Sequence, residues 1–226
     1  MRTCCLLLLA LFGCSNEPEA KPEPKRTPKI EKLKVPADAP LVVVLGDSLA
    51  AGIHLDEDAA FPALAQKALV EKKVPFRLIN AGSSGDTTAG GLRRVDWLLK
   101  QKPDIVVVEL GGNDGLRGKP LDEMKANLDG ILTKVIEAGA RPLLIGMRIP
   151  TSYGEDYTEK FAAVYDELAK KHKCEYLPFF MEDIGGKPEY FLEDALHPNE
   201  EGHRILAKRL APKLESMVRA LAAGAR

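Results

Sequence analysis

The sequence predicts an α/β domain built on a five-stranded parallel sheet, and three observations carry that expectation. Short aliphatic and β-branched runs such as Leu41-Val42-Val43-Val44-Leu45 recur along the chain and close in glycine-rich turns. Stretches with apolar residues at helical spacing separate them. The two patterns alternate from about Ala37 onward, as they do where strands are buried on both faces by right-handed crossover helices. With 226 residues and 45% hydrophobic content, the chain can build one full core.

The N-terminal part stands outside this alternation. Residues 1–13 read as a signal peptide, with Arg2 as its positive end and Leu6 to Phe12 as an apolar run far too short to span a bilayer. Leu11-Phe12-Gly13-Cys14 resembles a bacterial lipobox, although Phe12 departs from the usual small or β-branched residue, and Cys14 is the expected lipidation site. Residues 14–37 are dense in Pro, Glu and Lys and are expected to form an extended linker. The expectation is therefore an exported protein, lipid-anchored to a bacterial membrane and facing the periplasm. Only Cys174 of the four cysteines lies in the body of the chain, so no disulfide can form within the domain. Lys and Arg number 32 against 33 Asp and Glu, and this balance gives no reason to expect a nucleic-acid partner.

The domain is expected over 38–226. After the first strand, Phe61, Leu64, Ala65, Ala68 and Leu69 mark a helix that tolerates Pro62 in its first turn. Arg77 to Asn80 is a second strand, and Ala81 to Thr87 a glycine-rich loop whose Asp86 and Thr87 are cap candidates for the helix carrying Leu92, Val95, Leu98 and Leu99. Ile105 to Leu110 forms a third strand. Leu121 to Val135 shows a 3.6-residue stripe stopped near Gly139, and Leu143 to Met147 a fourth strand. Phe161, Val164, Tyr165 and Leu168 line the next helix, and Glu175 to Leu177 is a brief fifth strand. A final helix carries Leu206, Leu210, Leu214 and Val218, with Pro212 expected to kink or divide it.

The polar residues at the strand ends suggest acyl-transfer chemistry. Ser48, in Gly46-Asp47-Ser48-Leu49, is the first hydroxyl beyond the first strand, where ligands of open α/β sheets bind. A serine needs a base and the base an orienting carboxylate, roles that His197 and Asp194 fit from one loop. Gly82 offers a backbone N–H and Asn113 a side-chain amide for the oxyanion. Each also has a plain structural reading as a turn residue. His54 reads as a solvated loop residue, His172 as a cation at a helix end and His203 as a packed helix residue. No metal or other cofactor is expected.

Gly46-Asp47-Ser48-Leu49, the loop with Gly82, Gly111-Gly112-Asn113-Asp114 and Asp194-x-x-His197-Pro198 occur in the order of the four sequence blocks of the SGNH (GDSL) hydrolases, which the chain resembles. The resemblance covers about Leu41 to Leu210. It implies a flavodoxin-like three-layer α/β/α fold and hydrolysis of esters or thioesters, with Ser48 as nucleophile and Asp194 and His197 completing the triad. It further implies an oxyanion hole from the Ser48 and Gly82 N–H groups and the Asn113 amide. Asp114 to Pro120 corresponds to the family's mobile loop, and Ala195 stands where a glycine is often found.

Leu116, Ile149, Pro150, Tyr153, Phe179 and Phe180 lie in loops near the strand ends and are expected to line an apolar acyl groove. Glu109 is anomalous in an apolar strand, and Arg148 is its expected partner. The sequence thus points to a monomeric serine esterase acting on a small acyl ester or thioester. Two rivals are a carbohydrate O-deacetylase on the same fold and a non-catalytic ligand-binding lipoprotein; the absence of G-x-G-x-x-G and Walker A patterns weighs against nucleotide binding.

Overall fold

The computed structural model describes residues 33–224. The expected signal peptide, Cys14 and nearly all of the linker lie outside the described residues. The strands are β1 (Leu41–Gly46), β2 (Arg77–Gly82), β3 (Ile105–Glu109), β4 (Arg141–Ile145) and β5 (Glu175–Leu177). All pair in parallel, in the order β2-β1-β3-β4-β5. This is the strand order of the flavodoxin-like fold that the family resemblance implies, with its switch point between β1 and β3.

The longer helices are α2 (Phe61–Glu71), α3 (Thr88–Leu99), α5 (Leu121–Glu137), α6 (Glu155–His172) and α7 (Glu200–Gly224). Two single-turn helices, α1 (Ser48–Ala51) and α4 (Gly112–Leu116), follow β1 and β3. Helix α2 packs against α7, while α3, α5 and α6 pack in sequence along the sheet. Val42 to Leu45 and Val107 to Val108 are fully enclosed between these layers, which accounts for the unbroken β-branched runs. Strand β4 ends two residues before Met147, so Met147 and Ile149 fall beyond the sheet edge.

Pro212 does not divide α7, which runs unbroken through it. Pro212 is exposed, and so is Lys208, the residue four back whose carbonyl loses its helical donor to the proline. The buried stripe of Leu206, Leu210, Leu214 and Val218 spans both sides of the proline and holds the helix to α2.

Register brings the chemistry to one edge. Gly46 is level with Gly82 on one side and with Glu109 on the other, so the loops after β1, β2 and β3 leave the sheet together. Arg94 of α3 ties two of them: its guanidinium donates to Asp86 Oδ2 at 2.7 Å, to the Ala81 carbonyl at 2.6 Å and to the Gly46 carbonyl at 2.8 Å. Asp114 reaches back from the third loop to accept from the Thr88 N–H at 2.9 Å and its hydroxyl at 2.8 Å. The start of α3 is therefore capped by a remote aspartate, because neither Asp86 nor Thr87 caps it from the preceding loop.

Candidate active site

Ser48 opens α1 directly after the β1 turn. Asp47 caps that helix, its Oδ1 accepting from the Leu49 N–H at 3.0 Å. The turn needs glycine at 46, since a Cβ there would stand 2.4 Å from Ala50 Cβ and 2.7 Å from Glu109 Oε2. His197 approaches from the loop before α7, with Nε2 at 2.9 Å from Ser48 Oγ. Its Nδ1 lies 2.6 Å from Asp194 Oδ2. The other Asp194 oxygen accepts from the backbone N–H groups of Leu196 and His197, both at 2.9 Å. Those backbone bonds, with the imidazole bond, hold the Asp194 carboxyl far below the usual carboxylate range, so it stays ionised wherever the imidazole works. Ala195, between them, takes the left-handed conformation at φ 54°, which explains why glycine suits this position; being exposed, its methyl is strained without clashing.

Asn113, in α4, turns its amide toward Asp47, with Nδ2 donating to Oδ2 at 2.9 Å. The expected role of Gly82 does not survive the geometry. Its N–H donates to Asn80 Oδ1 at 3.1 Å, and a Cβ on it would stand 2.3 Å from the Ala51 backbone nitrogen, so this glycine serves close packing of β2 on α1. Gly85, three residues on, lines the cleft beside Ser48 instead, at φ 73°. It was legible as the glycine that turns the loop ahead of Asp86-Thr87.

Glu109 and Arg148 do not pair. Arg148 is exposed, with its guanidinium 5.2 Å from the centre of the Phe179 ring. Glu109 is 1% exposed beneath the turn, where Oε2 accepts from the Asp47 N–H at 3.3 Å and Oε1 has no partner among the described residues. Burial, reinforced by the charge of Asp47, pushes the Glu109 carboxyl well above its ordinary 4.5 and so favours its protonated form. Burial likewise pushes Asp47 up to about 6, against the bonds from Leu49 and Asn113 and the pull of His197.

A stability prediction follows from the Glu109 proton. Above pH 4.5 the unfolded chain releases a proton that the native state retains, so stability falls as pH rises from there toward the native value. The slope for one proton is about 1.4 kcal/mol per pH unit. Glu109→Gln removes this term, and its gain in unfolding midpoint over the parent should be larger at pH 8 than at pH 5. Parallel pH profiles for the two proteins would show that Glu109 is ionised in the native state.

A cleft of about 560 Å³ opens beside Ser48 and His197. Of the expected lining residues, Leu116, Ile149, Pro150 and Phe179 border it. Phe180 does not: it is fully buried, its ring centre 4.9 Å from that of Phe61. Tyr153 is also outside the lining, and its hydroxyl donates to the Leu116 carbonyl at 2.9 Å, bracing the wall from behind. Met147, Met181, Phe191 and Leu196 add to the apolar lining, together with Leu49, Ala195 and Pro198; Met147 was expected at the end of the fourth strand and not on the cleft. His54 is exposed, 6.5 Å ring to ring from His197. His203 is buried and accepts the Phe61 N–H on Nδ1 at 3.1 Å. His172 contacts Asp129 Oδ1 at 2.7 Å across α5 and α6. Among the described residues, no group of three or more His, Cys, Asp or Glu is placed to hold a metal ion.

A doubly wound sheet presenting a serine, a histidine and an aspartate in hydrogen-bonded series defines a hydrolase of the serine class. Residues 44–205 match the GDSL-like lipase/acylhydrolase family, and the chain belongs to it as an SGNH-type serine hydrolase. It is 43% identical over 183 residues to thioesterase 1/protease 1/lysophospholipase L1 of Escherichia coli (strain K12), covering 80% of this chain and 86% of that protein. It is 38% identical over 174 residues to an arylesterase of Vibrio mimicus, covering 76% and 87% of the two chains. Among solved structures it resembles the psychrotrophic esterase EstA from Pseudoalteromonas sp., inhibited by monoethylphosphonate. The TM-score is 0.76 at 33% identity, over 79% of this chain and 98% of that one.

Proposed function

We propose that the chain hydrolyses carboxylic ester or acyl thioester bonds through an acyl-enzyme on Ser48. The observation that carries the assignment is the unbroken series from Ser48 Oγ through His197 to Asp194 at the mouth of an apolar cleft. His197 takes the serine proton as Oγ attacks the acyl carbon and returns it to the departing alcohol or thiol. Asp194 fixes the imidazole tautomer and stabilises the imidazolium. Water then repeats the sequence on the acyl-enzyme and releases the acid. The Ser48 and Gly85 N–H groups and the Asn113 amide are the donors for the oxyanion.

Met147, Ile149, Phe179 and Leu196 suit the cleft to an acyl chain, and this weighs against an acetylated sugar as substrate. Each buried methylene contributes about 0.8 kcal/mol, so kcat/KM for p-nitrophenyl esters should rise by up to about fourfold per methylene from acetate toward medium chains. Acetate as the best substrate would overturn the acyl-chain reading. Parallel assays with acyl-CoA and lysophospholipid separate thioester from ester preference.

The N-terminal sequence supports placing this activity on a lipid anchor at a bacterial membrane, facing the periplasm. In a bacterial host, metabolically supplied radiolabelled palmitate should enter the full chain and fail to enter Cys14→Ser. Equal labelling of both would remove Cys14 from the anchor.

A further inference from the structure

The buried pair Asp47 and Glu109 lies beneath the nucleophile and takes no part in the proton relay just described. Asp47 is anchored on two sides, by its own N–H on Glu109 Oε2 at 3.3 Å and by its Oδ1 on the Leu49 N–H at 3.0 Å. Its remaining oxygen, Oδ2, is therefore fixed in space, and that oxygen accepts from Asn113 Nδ2 at 2.9 Å. The Asn113 backbone is fixed as well. Gly111 holds φ 113°, a Cβ on it would stand 2.1 Å from the Tyr165 hydroxyl oxygen, and that hydroxyl donates to the Leu110 carbonyl at 2.9 Å. What the backbone leaves open is which way the amide faces.

A carboxylate can only accept, so the amide must turn its nitrogen, and not its oxygen, toward Asp47. That nitrogen carries two hydrogens in a plane. One is used on Asp47, and Nδ2 makes no other hydrogen bond among the described residues, which leaves the second free for the cleft. A flipped amide would present Oδ1, an acceptor that repels a developing oxyanion.

We infer that Asp47 is a positioning residue of the oxyanion hole, acting through Asn113 by selecting the amide orientation that donates to the tetrahedral intermediate. The inference rests on the acyl-enzyme reading of Ser48. Asp47 thus has two separable tasks, capping α1 and orienting Asn113. Serine at 47 keeps the first, since it is a good helix cap for the Leu49 N–H, and is too short for the second. Asparagine also caps, but sets an amide nitrogen against that of Asn113.

The test is a double-mutant cycle on a short-chain aryl ester, with kcat and KM measured for Asp47→Ser, Asp47→Asn, Asn113→Ala and the pairs. Each Asp47 variant should lower kcat by about tenfold or more with KM held within about threefold, and should lower it less than about threefold further once Asn113 is alanine. Multiplicative losses in the double variants, or unchanged kcat in Asp47→Ser, would overturn the inference. Because serine and asparagine both retain the cap, one variant that folds suffices to decide. The Asn113 side-chain amide resonance, assigned by its loss in Asn113→Ala, should also move in Asp47→Ser, and an unmoved resonance counts against the inference even without turnover. Failure of the acyl-enzyme reading itself is recognised separately, by absence of hydrolysis in the unsubstituted chain.

Discussion

His197→Ala is expected to lower kcat by about 10⁴- to 10⁶-fold, the range seen when the base of a serine triad is removed. Among the described residues, no other base is placed to replace it. His54 is the nearest other imidazole, but it is exposed and its ring centre is 6.5 Å from that of His197. His203 is turned away, its Nδ1 accepting from Phe61 N–H inside the core, and burial pushes it down to about 4, so it stays neutral there. The loss should fall on kcat with little change in KM, because the imidazole acts on the proton in flight, whereas Met147, Ile149 and Phe179 hold the acyl chain. Asp194→Ala should be milder, since it orients and stabilises the base without touching the proton in flight. Steady-state kinetics of the two variants check the order; an Asp194 variant weaker than the His197 variant would reverse the roles.

Asn113→Ala is expected to lower kcat by about 10²- to 10³-fold, the usual loss for one oxyanion donor. The ground-state carbonyl gains little from the amide, whereas the tetrahedral oxyanion gains a charge-assisted bond, so KM should stay nearly constant. The side chain is half-buried and its only hydrogen bond among the described residues is to buried Asp47 Oδ2, so the variant should lose about 1–3 kcal/mol of stability and still fold. A rise in KM with unchanged kcat would instead make Asn113 a substrate-binding residue.

Strands β1 and β3 were the most legible because their β-branched runs are buried on both faces, and no other environment favours such runs as strongly. The triad was legible for a different reason: Ser48, Asp194 and His197 sit at strand ends and loops where a polar side chain has no ladder to serve. What escaped was anything decided by direction. Phe179 and Phe180 are adjacent and chemically alike, yet one borders the cleft and the other packs on Phe61. Gly82 and Gly85 share one loop region, and only the contact of Gly82 with Ala51 and its bond to Asn80 separates a packing glycine from one on the cleft wall. Glu109 invited an ion pair because a buried carboxylate needs one, but burial raises its pKa and favours the neutral carboxyl, which needs no counter-charge and takes one backbone bond, from the Asp47 N–H. Met181 and Leu196 lie in loops, where no period distinguishes lining from surface, and Met147 read as a strand residue because the apolar run of β4 continues past its last paired residue, Ile145.

Reaction with a fluorophosphonate tests the central claim most directly, because it requires an activated serine and reports its position. Incubation of the chain with the reagent should add one phosphonyl group, which peptide mapping should place on Ser48, with hydrolysis of p-nitrophenyl esters lost in proportion. Ser48→Ala should take up none and hydrolyse none. Labelling at another residue, or hydrolysis surviving in Ser48→Ala, would contradict the account.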